Sequence, residues 1–498
     1  MAEAEKAPHG FPSNDDRWLV MQAFINEYGL VRQHIDSFNR FVEKELPQIV
    51  KEFGYIATPR REYEIKILDV ELGEPMVTES DGSEHPVTPM ECRIRDLTYW
   101  APIKAKVVIV ESGIEREPEE IILGYLPIML RSKADPVSRC FYDPNSDRQE
   151  CIRKIIEAGE DPRDPGGYFI INGSERVVVI QEDQALNRIL VGKARAGTAT
   201  ALYTAKVISS HRGVRYQLLL DMHKDGTLHV SMSRALSKIP FVILMRALGL
   251  ERDQDIVLAI SPDPQIQQMV IPSLEQARAI NTVEDALDFV GSRFREGIGK
   301  PREQRIRVAE RALDYILLPH IGTRPEDRIR KALFLGQMAA RLLEYVAGRR
   351  EEDDKDHYAN KRLLLAGDLI AMVFRIAMRT LVYDIRQQLE KFRARGRRIN
   401  ARMVIRSDIV TNRLREALAT GNWPGQRTGV SQILDRTNWI STLSHLRRVV
   451  SQLSRSQPHF EARDVHGTQW GRICPFETPE GPTGCRGRLL PRSGAGCG

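Results

Sequence analysis

Apolar residues near the start of the chain recur at three- and four-residue spacing. Trp18, Met21, Phe24, Ile25, Tyr28, Ile35, Phe38, Phe41 and Val42 keep that register, which predicts amphipathic helix over residues 17–53, opened by Asp15 and Asp16 and interrupted at Gly29. The pattern then shifts to β-rich runs at residues 62–72, 92–97, 103–110 and 121–130, set apart by Gly, Pro and Asp clusters. Pro127 marks a strand edge or bend. Helical spacing returns at residues 148–158, with Gly159 as a stop. The stretch DPGGYFIINGSERVVVIQE reads as strand, turn, strand, because Asn172-Gly173 between two β-rich runs is a tight-turn signal.

Three further strands are predicted at residues 201–209, 214–220 and 228–231. Helical stripes follow in IPFVILMRALGL, VEDALDFVGSRF, RIRVAERALDYILLPHIG and RIRKALFLGQMAARLLEYVAG. Residues 363–393 are apolar around much of a helical circumference, which predicts burial against several neighbours. A basic loop centred on Gly396 and a short helix ending at Gly421 come next. From residue 417 to 481, Gly, Pro, Ser, Thr, Asn and Gln recur every few residues, so turns and short elements are expected there. The fold class is α+β and multidomain, with mixed helix/strand domains followed by a loop-rich segment. A chain of 498 residues is too long for one core.

Charge changes the picture more than composition does. The net charge of +6 is unevenly placed. Residues 391–455 hold fourteen basic and three acidic residues, and thirteen of the cations are Arg, whereas residues 1–390 sum to −6. A concentrated arginine segment in Gly/Ser-rich loops is the footprint of a nucleic-acid groove, and guanidinium forks suit phosphate oxygens. No run of 18 apolar residues occurs, and the N-terminus has no apolar signal core, so a cytoplasmic location without a membrane is expected. The six cysteines form no C-x-x-C pair. They read as buried or free thiols in a reducing compartment, not as zinc ligands.

Several tempting sites are set aside. Gly166-Gly167 lacks the G-x-x-x-x-G-K-[ST] pattern of a phosphate loop. Asp353, Asp354, Asp356 and His357 read as a solvated connector. Asp253 and Asp255 sit in a polar run that reads as an exposed loop. His445 and His466 have no nucleophile and orienting group around them in sequence, so they read as core or loop histidines. No D-x-D-x-D cluster is present to hold two magnesium ions, so the chain is not a polymerising centre by itself.

The segments GNWPGQRTGVSQ, STLSHLRR and RDVHGTQWGRICPFETPEG resemble the fork region of the second-largest subunit of multisubunit, DNA-dependent RNA polymerases in its archaeal form. GLVRQHIDSFNRFVE, TPMECRIRDLTYWAPI, LGYLPIMLRSK and DPGGYFIINGSERVVVIQE resemble the same family's protrusion and the junction with its lobe. Residues 1–16 are expected to be disordered or a flexible arm, and the resemblance implies a protrusion over 17–183 and 363–420, a lobe over 184–362 and a fork over 421–483. After Thr483 the family pattern stops, and residues 484–498 are expected to be an aberrant or disordered tail. In many members the subunit is split, and this chain is similar to the N-terminal piece, the B double-prime type; a truncated fragment of a longer gene is the alternative.

What the family implies for function is specific. Arg427 and Gln432 match positions at the first fork loop, facing the RNA–DNA hybrid. Arg447 and Arg448 match the pair before the second fork loop, and Arg415 a basic position lining the hybrid. Arg176 matches a basic position near nucleic acid, and Arg455 extends the arginine series. Glu480 matches a position near the active centre. The catalytic magnesium (Mg2+) would belong to the assembled polymerase, held by aspartates of the largest subunit. Further partners would be the C-terminal half of the second subunit (the B-prime piece), other polymerase subunits, template DNA and the RNA–DNA hybrid. The alternative is a free-standing single-strand-binding or scaffold protein, for which stacking aromatics along the basic groove would count. Phe392, Trp423 and Trp439 are the aromatics nearest it.

Overall fold

The computed structural model describes residues 13–58, 63–79, 81–111, 113–194, 201–394, 400–451, 453, 462, 464–474, 477 and 487–489. The chain divides into two compact units, one of residues 1–183 with 363–498, the other of residues 184–362. Among the described residues no helix is long and apolar enough to cross a membrane.

In the first unit, helix starts at Asn14, earlier than the spacing alone indicates, because Ser13 and Asp16 cap each other reciprocally. It ends at Gly29, whose φ is +68°. A second helical run, Arg32–Arg40, passes through a π-turn at Phe41–Glu45 into Leu46–Phe53. A five-stranded antiparallel sheet follows, with Trp100–Glu111 paired to Tyr63–Leu72 on one side and Glu119–Pro127 on the other. Residues 92–97 do not form the strand that their side chains suggest. Thr88 caps a short helix, Pro89–Ile94, with Pro at its first position, and local capping outweighs β-propensity there.

The Ala366–Ala394 helix is the centre of this unit. Leu369, Ile370, Val373, Phe374, Ala377, Met378, Leu381, Ile385 and Leu389 are all buried in one core. Phe374 meets Phe41 edge-on at 6.1 Å, and Phe38 meets Phe169 at 5.6 Å. Gly367 lies so close to the N-terminal helices that a Cβ there would fall 2.1 Å from the Ser37 carbonyl oxygen.

Cys140 and Cys151 are joined in a disulfide, their Cα atoms 5.8 Å apart. This corrects the expectation of free thiols at those two positions. Asp147 caps the Arg148–Glu157 helix and turns Cys151 towards Cys140, a juxtaposition that spacing in sequence does not signal. Cys92 is free and buried, and burial pushes its thiol up to about 12.

The second unit opens with a five-stranded antiparallel meander in sequential order: Leu190–Lys193, Ala201–His211, Val214–His223, Leu228–Met232 and Ile239–Pro240. Helices pack on it around Arg328–Val346. Asp253 and Asp255 are exposed as expected but stand in the first turn of the Asp253–Ile260 helix, not in a loop, and Asp253 pairs with buried Arg246 at 2.6 Å. The acidic connector is tied down by its own acids. Asp353 accepts from the Val191 amide at 2.9 Å and pairs with Arg350, while Asp356 pairs with Lys361.

Candidate nucleic-acid interface

The arginine-rich segment is mounted on a small β framework. Phe169–Ile171 and Ser174–Val178 form a hairpin whose turn, Asn172-Gly173, has φ +48° and +74°, the twist that a two-residue hairpin requires. Ser431–Ile433 adds a third antiparallel strand, with Gln432 opposite Val177 and Ile433 opposite Arg176. Ile180–Gln184 runs parallel to Arg448–Ser451. Gly487–Leu489 pairs on the far edge of that strand, so at these three residues the expected disordered tail is a strand.

The Ser407–Thr420 helix packs on the three-stranded sheet and ends at Gly421, φ +76°. That glycine is obligatory. An added Cβ would lie 2.6 Å from the Ser431 carbonyl oxygen, and the left-handed backbone penalises any side chain. Gly421→Ala is expected to destabilise this unit by about 2–4 kcal/mol. Chemical denaturation of the full chain would read the loss, and an unchanged midpoint would refute the close approach.

The candidate residues that the structure describes have definite settings. Arg415 stands exposed on the Ser407–Thr420 helix, with one hydrogen bond to Asn412 at 3.0 Å. Arg448 begins its strand half-buried, with no side-chain partner among the described residues. Arg176 shares a sheet face with exposed Ile433, and its buried Nε has no hydrogen-bond partner among the described residues. These three keep guanidinium capacity for a ligand.

Arg427 and Arg447 are committed to the fold. Arg427 is 8% exposed and donates to Asp183 at 2.5 Å, with its Nη1 left unpartnered among the described residues. Arg447 donates to the Leu30 carbonyl at 2.6 Å. Gln432 lies across the sheet from the Arg176 face, and its Oε1 accepts from His445 at 3.0 Å. Arg455 and Glu480 lie outside the described residues, as does the centre of the basic loop, residues 395–399.

His445 organises the turn before the arginine pair. The Asp435 amide donates to its Nδ1 at 3.2 Å, so the ring proton sits on Nε2 and goes to Gln432. Burial, and then the Arg448 charge, lower its pKa to about 4. His34, fully buried, donates Nε2–H to the Leu446 carbonyl at 2.7 Å and is likewise lowered to about 4, chiefly by burial. Two reciprocal bonds, His34 to Leu446 and Arg447 to Leu30, therefore stitch the C-terminal end of the Trp439–Leu446 helix to the N-terminal helices. Asp435 caps this turn, and hydrogen bonds from Ser441 and Thr437 hold its carboxyl down at about 2. His466 caps a turn at Gly467–Gln469.

A second network was not signalled by sequence spacing. Arg436 pairs with Glu175 at 2.6 Å and Asp164 at 2.9 Å and lies over the Tyr168 ring, while Arg93 reaches Glu175 and Glu160. These groups come from four separate stretches of chain. Alternation of charge along one stretch cannot reveal them.

Among the described residues, no cluster made of carboxylates alone, as a catalytic magnesium would need, comes together. Among the described residues, one group of metal-ligating side chains comes together, Glu79, His85 and Glu91. Arg95 already bridges both of its carboxylates at 2.7 Å. Of the aromatics near the basic segment, Trp423 is buried with its indole N–H on the Leu369 carbonyl, so it offers no stacking face. Trp439 is 47% exposed, and Trp470, which composition does not single out, is 83% exposed.

The helical core around Ala366–Ala394 and the β framework thus present arginines without a carboxylate partner among the described residues. The chain belongs to the family described as "RNA polymerase beta subunit", whose pattern matches residues 29–412, while "RNA polymerase Rpb2, domain 3" matches residues 432–485. It is 46% identical to the DNA-directed RNA polymerase subunit Rpo2N of Methanocaldococcus jannaschii, over 93% of this chain and 92% of that one. It is 54% identical to subunit Rpo2 of Saccharolobus solfataricus and 52% identical to that of Sulfolobus acidocaldarius, in each case over 94% of this chain and 40% of the relative. The chain thus spans about two-fifths of the length of those Rpo2 relatives.

Proposed function

We propose that this chain is a subunit of an archaeal-type DNA-directed RNA polymerase, noncatalytic alone, that helps form the cleft and holds template DNA and the RNA–DNA hybrid. Residues 17–183 with 363–420 would serve as protrusion, 184–362 as lobe and 421–483 as fork. The observation that carries the reading is the disposition of Arg415, Arg448 and Arg176. They sit on ordered elements beside the fork segment with no carboxylate partner among the described residues. Such cations grip a phosphate backbone without reading bases, which is what an enzyme that copies any sequence needs.

Arg427 and Gln432 would position the first fork loop, Arg447 the second, and Arg455 and Glu480 would lie towards the hybrid and the active centre. Exposed Ile433, Trp439, Ile440, Val465 and Trp470 suit coverage by other subunits, since apolar surface of this kind marks a contact region. The partners would be the largest subunit and the C-terminal half of the second subunit. The magnesium-binding aspartates would lie on the largest subunit, in the cytoplasm. The free-standing single-strand-binding alternative loses support from the burial of Trp423.

Tagged chain recovered from its own cells is expected to bring a larger, aspartate-bearing subunit with it. Primer extension should appear in that complex and not in the isolated chain. Recovery of a lone chain that binds single strands would overturn the polymerase reading.

A further inference from the structure

The unit of residues 184–362 holds none of the candidate nucleic-acid residues, yet it contains a cavity of about 660 Å³. That volume is within the range of ligand and anchor-residue sites. Its floor is apolar: Phe294 and Ala312 belong to the buried core, at 4% and 3% exposure. At its mouth stand Leu236 and Tyr315, 62% and 60% exposed.

Three arginines surround this apolar floor, Arg234, Arg295 and Arg311, against one acid, Glu296. None of the three makes a side-chain hydrogen bond or ion pair among the described residues. Elsewhere in the unit Arg246, Arg302, Arg305, Arg328, Arg349 and Arg350 each pair with a carboxylate, so their charge is already met within the fold. The cavity thus carries three guanidinium groups against a single carboxylate.

The backbone supplies an independent observation. Arg234 has φ +68°, a conformation that costs an L-residue about 1–2 kcal/mol and persists where the surroundings impose it. Here Ala235 bridges to Phe294, and the Leu236 amide donates to the Arg293 carbonyl at 2.9 Å. Those bonds hold Arg234 and Leu236 at the mouth of the cavity.

We propose that this groove is a docking site for an acidic protein segment that carries a bulky apolar side chain. The apolar floor would take the anchor, and the three guanidinium groups would take carboxylates in their fixed fork geometry. An apolar centre with a polar rim is the usual anatomy of a protein interface. A nucleic-acid backbone fits less well, because it would leave Leu236, Tyr315 and the floor facing hydrated phosphates.

The test uses the full chain and a fluorescein-labelled twelve-residue peptide in which Asp and Glu alternate with Leu and Phe, read by fluorescence polarisation. A matched peptide with Ser for the acids and a short DNA duplex serve as comparisons. Saturable binding of the acidic peptide is expected, at least tenfold weaker with Arg295→Ala plus Arg311→Ala and with Leu236→Ser. All three residues are exposed, so the core is untouched. Arg307→Ala, on the same Arg302–Tyr315 helix but outside the cavity, should leave binding unchanged. Absence of saturable binding, equal binding of the Ser peptide, or equal loss with Arg307→Ala would overturn the proposal. So would a duplex that competes equally and loses affinity in the same cavity variants, since the groove would then be a nucleic-acid site.

Discussion

Lowering the pH from 7 towards 4.5 is expected to loosen the segment that carries Arg447 and Arg448, before carboxylates protonate in bulk. His34 and His445 both titrate at about 4 in the folded chain, depressed mainly by burial, against about 6.5 for an exposed histidine. Between those values the unfolded chain binds more protons than the folded one. The stability due to the neutral rings is therefore complete above pH 6.5 and is lost as pH falls towards 4. A shift of this size corresponds to roughly 3 kcal/mol per histidine.

The consequence is local as well as global. A protonated His34 would still donate to Leu446, but its second N–H would have no acceptor among the described residues in a fully buried site beside the Arg447 charge. A protonated His445 could no longer accept from the Asp435 amide. Melting profiles between pH 7 and pH 5 should show the decline in the parent chain and a flatter dependence in His34→Gln with His445→Gln. His229, also lowered to about 4, lies in the other unit and contributes equally to both proteins. Equal slopes in parent and double variant would remove the two histidines as the cause.

Replacing Arg415 and Arg448 by Ser should weaken nucleic-acid binding by the assembled polymerase without regard to sequence. Each phosphate interaction removed should reduce the slope of log affinity against log salt by about 0.7–0.9. Because neither side chain has a carboxylate partner among the described residues, thermal stability should hardly change. Arg427→Ala should behave differently. It would leave the Asp183 carboxylate without its guanidinium in a mostly buried site, and breaking such a pair costs about 3 kcal/mol or more. Loss of affinity with a lowered melting temperature is thus the expected signature at Arg427, and loss of affinity alone at Arg415 and Arg448. An unaltered salt slope in the double variant would exclude both as phosphate-gripping residues.

Local signals were legible where one physical preference dominated. Asn172-Gly173 reads as a hairpin turn because two successive residues adopt positive φ there. Gly29, Gly159 and Gly421 stop helices for the same reason. Where preferences competed, the reading failed: residues 92–97 look β-rich, yet the Thr88 cap and Pro89 start a helix one step upstream. Cys140 and Cys151 gave no motif, and only the turn and helix between them bring their Cα atoms to 5.8 Å.

The same division runs through the candidate interface. By itself, the sequence determined that arginine is concentrated in residues 391–455, that the segment is loop-rich, and that its motifs resemble those of an RNA polymerase subunit, because composition and short-range turn chemistry are properties of neighbouring residues. Which arginines are available was decided by tertiary structure alone. Arg427 and Arg436 look no different in sequence from Arg415 and Arg448. The first is opposed to Asp183 and the second to Glu175 and Asp164, acids hundreds of positions earlier. An ion pair depends on where two side chains meet, and that distance is set only when the β framework brings remote strands into register.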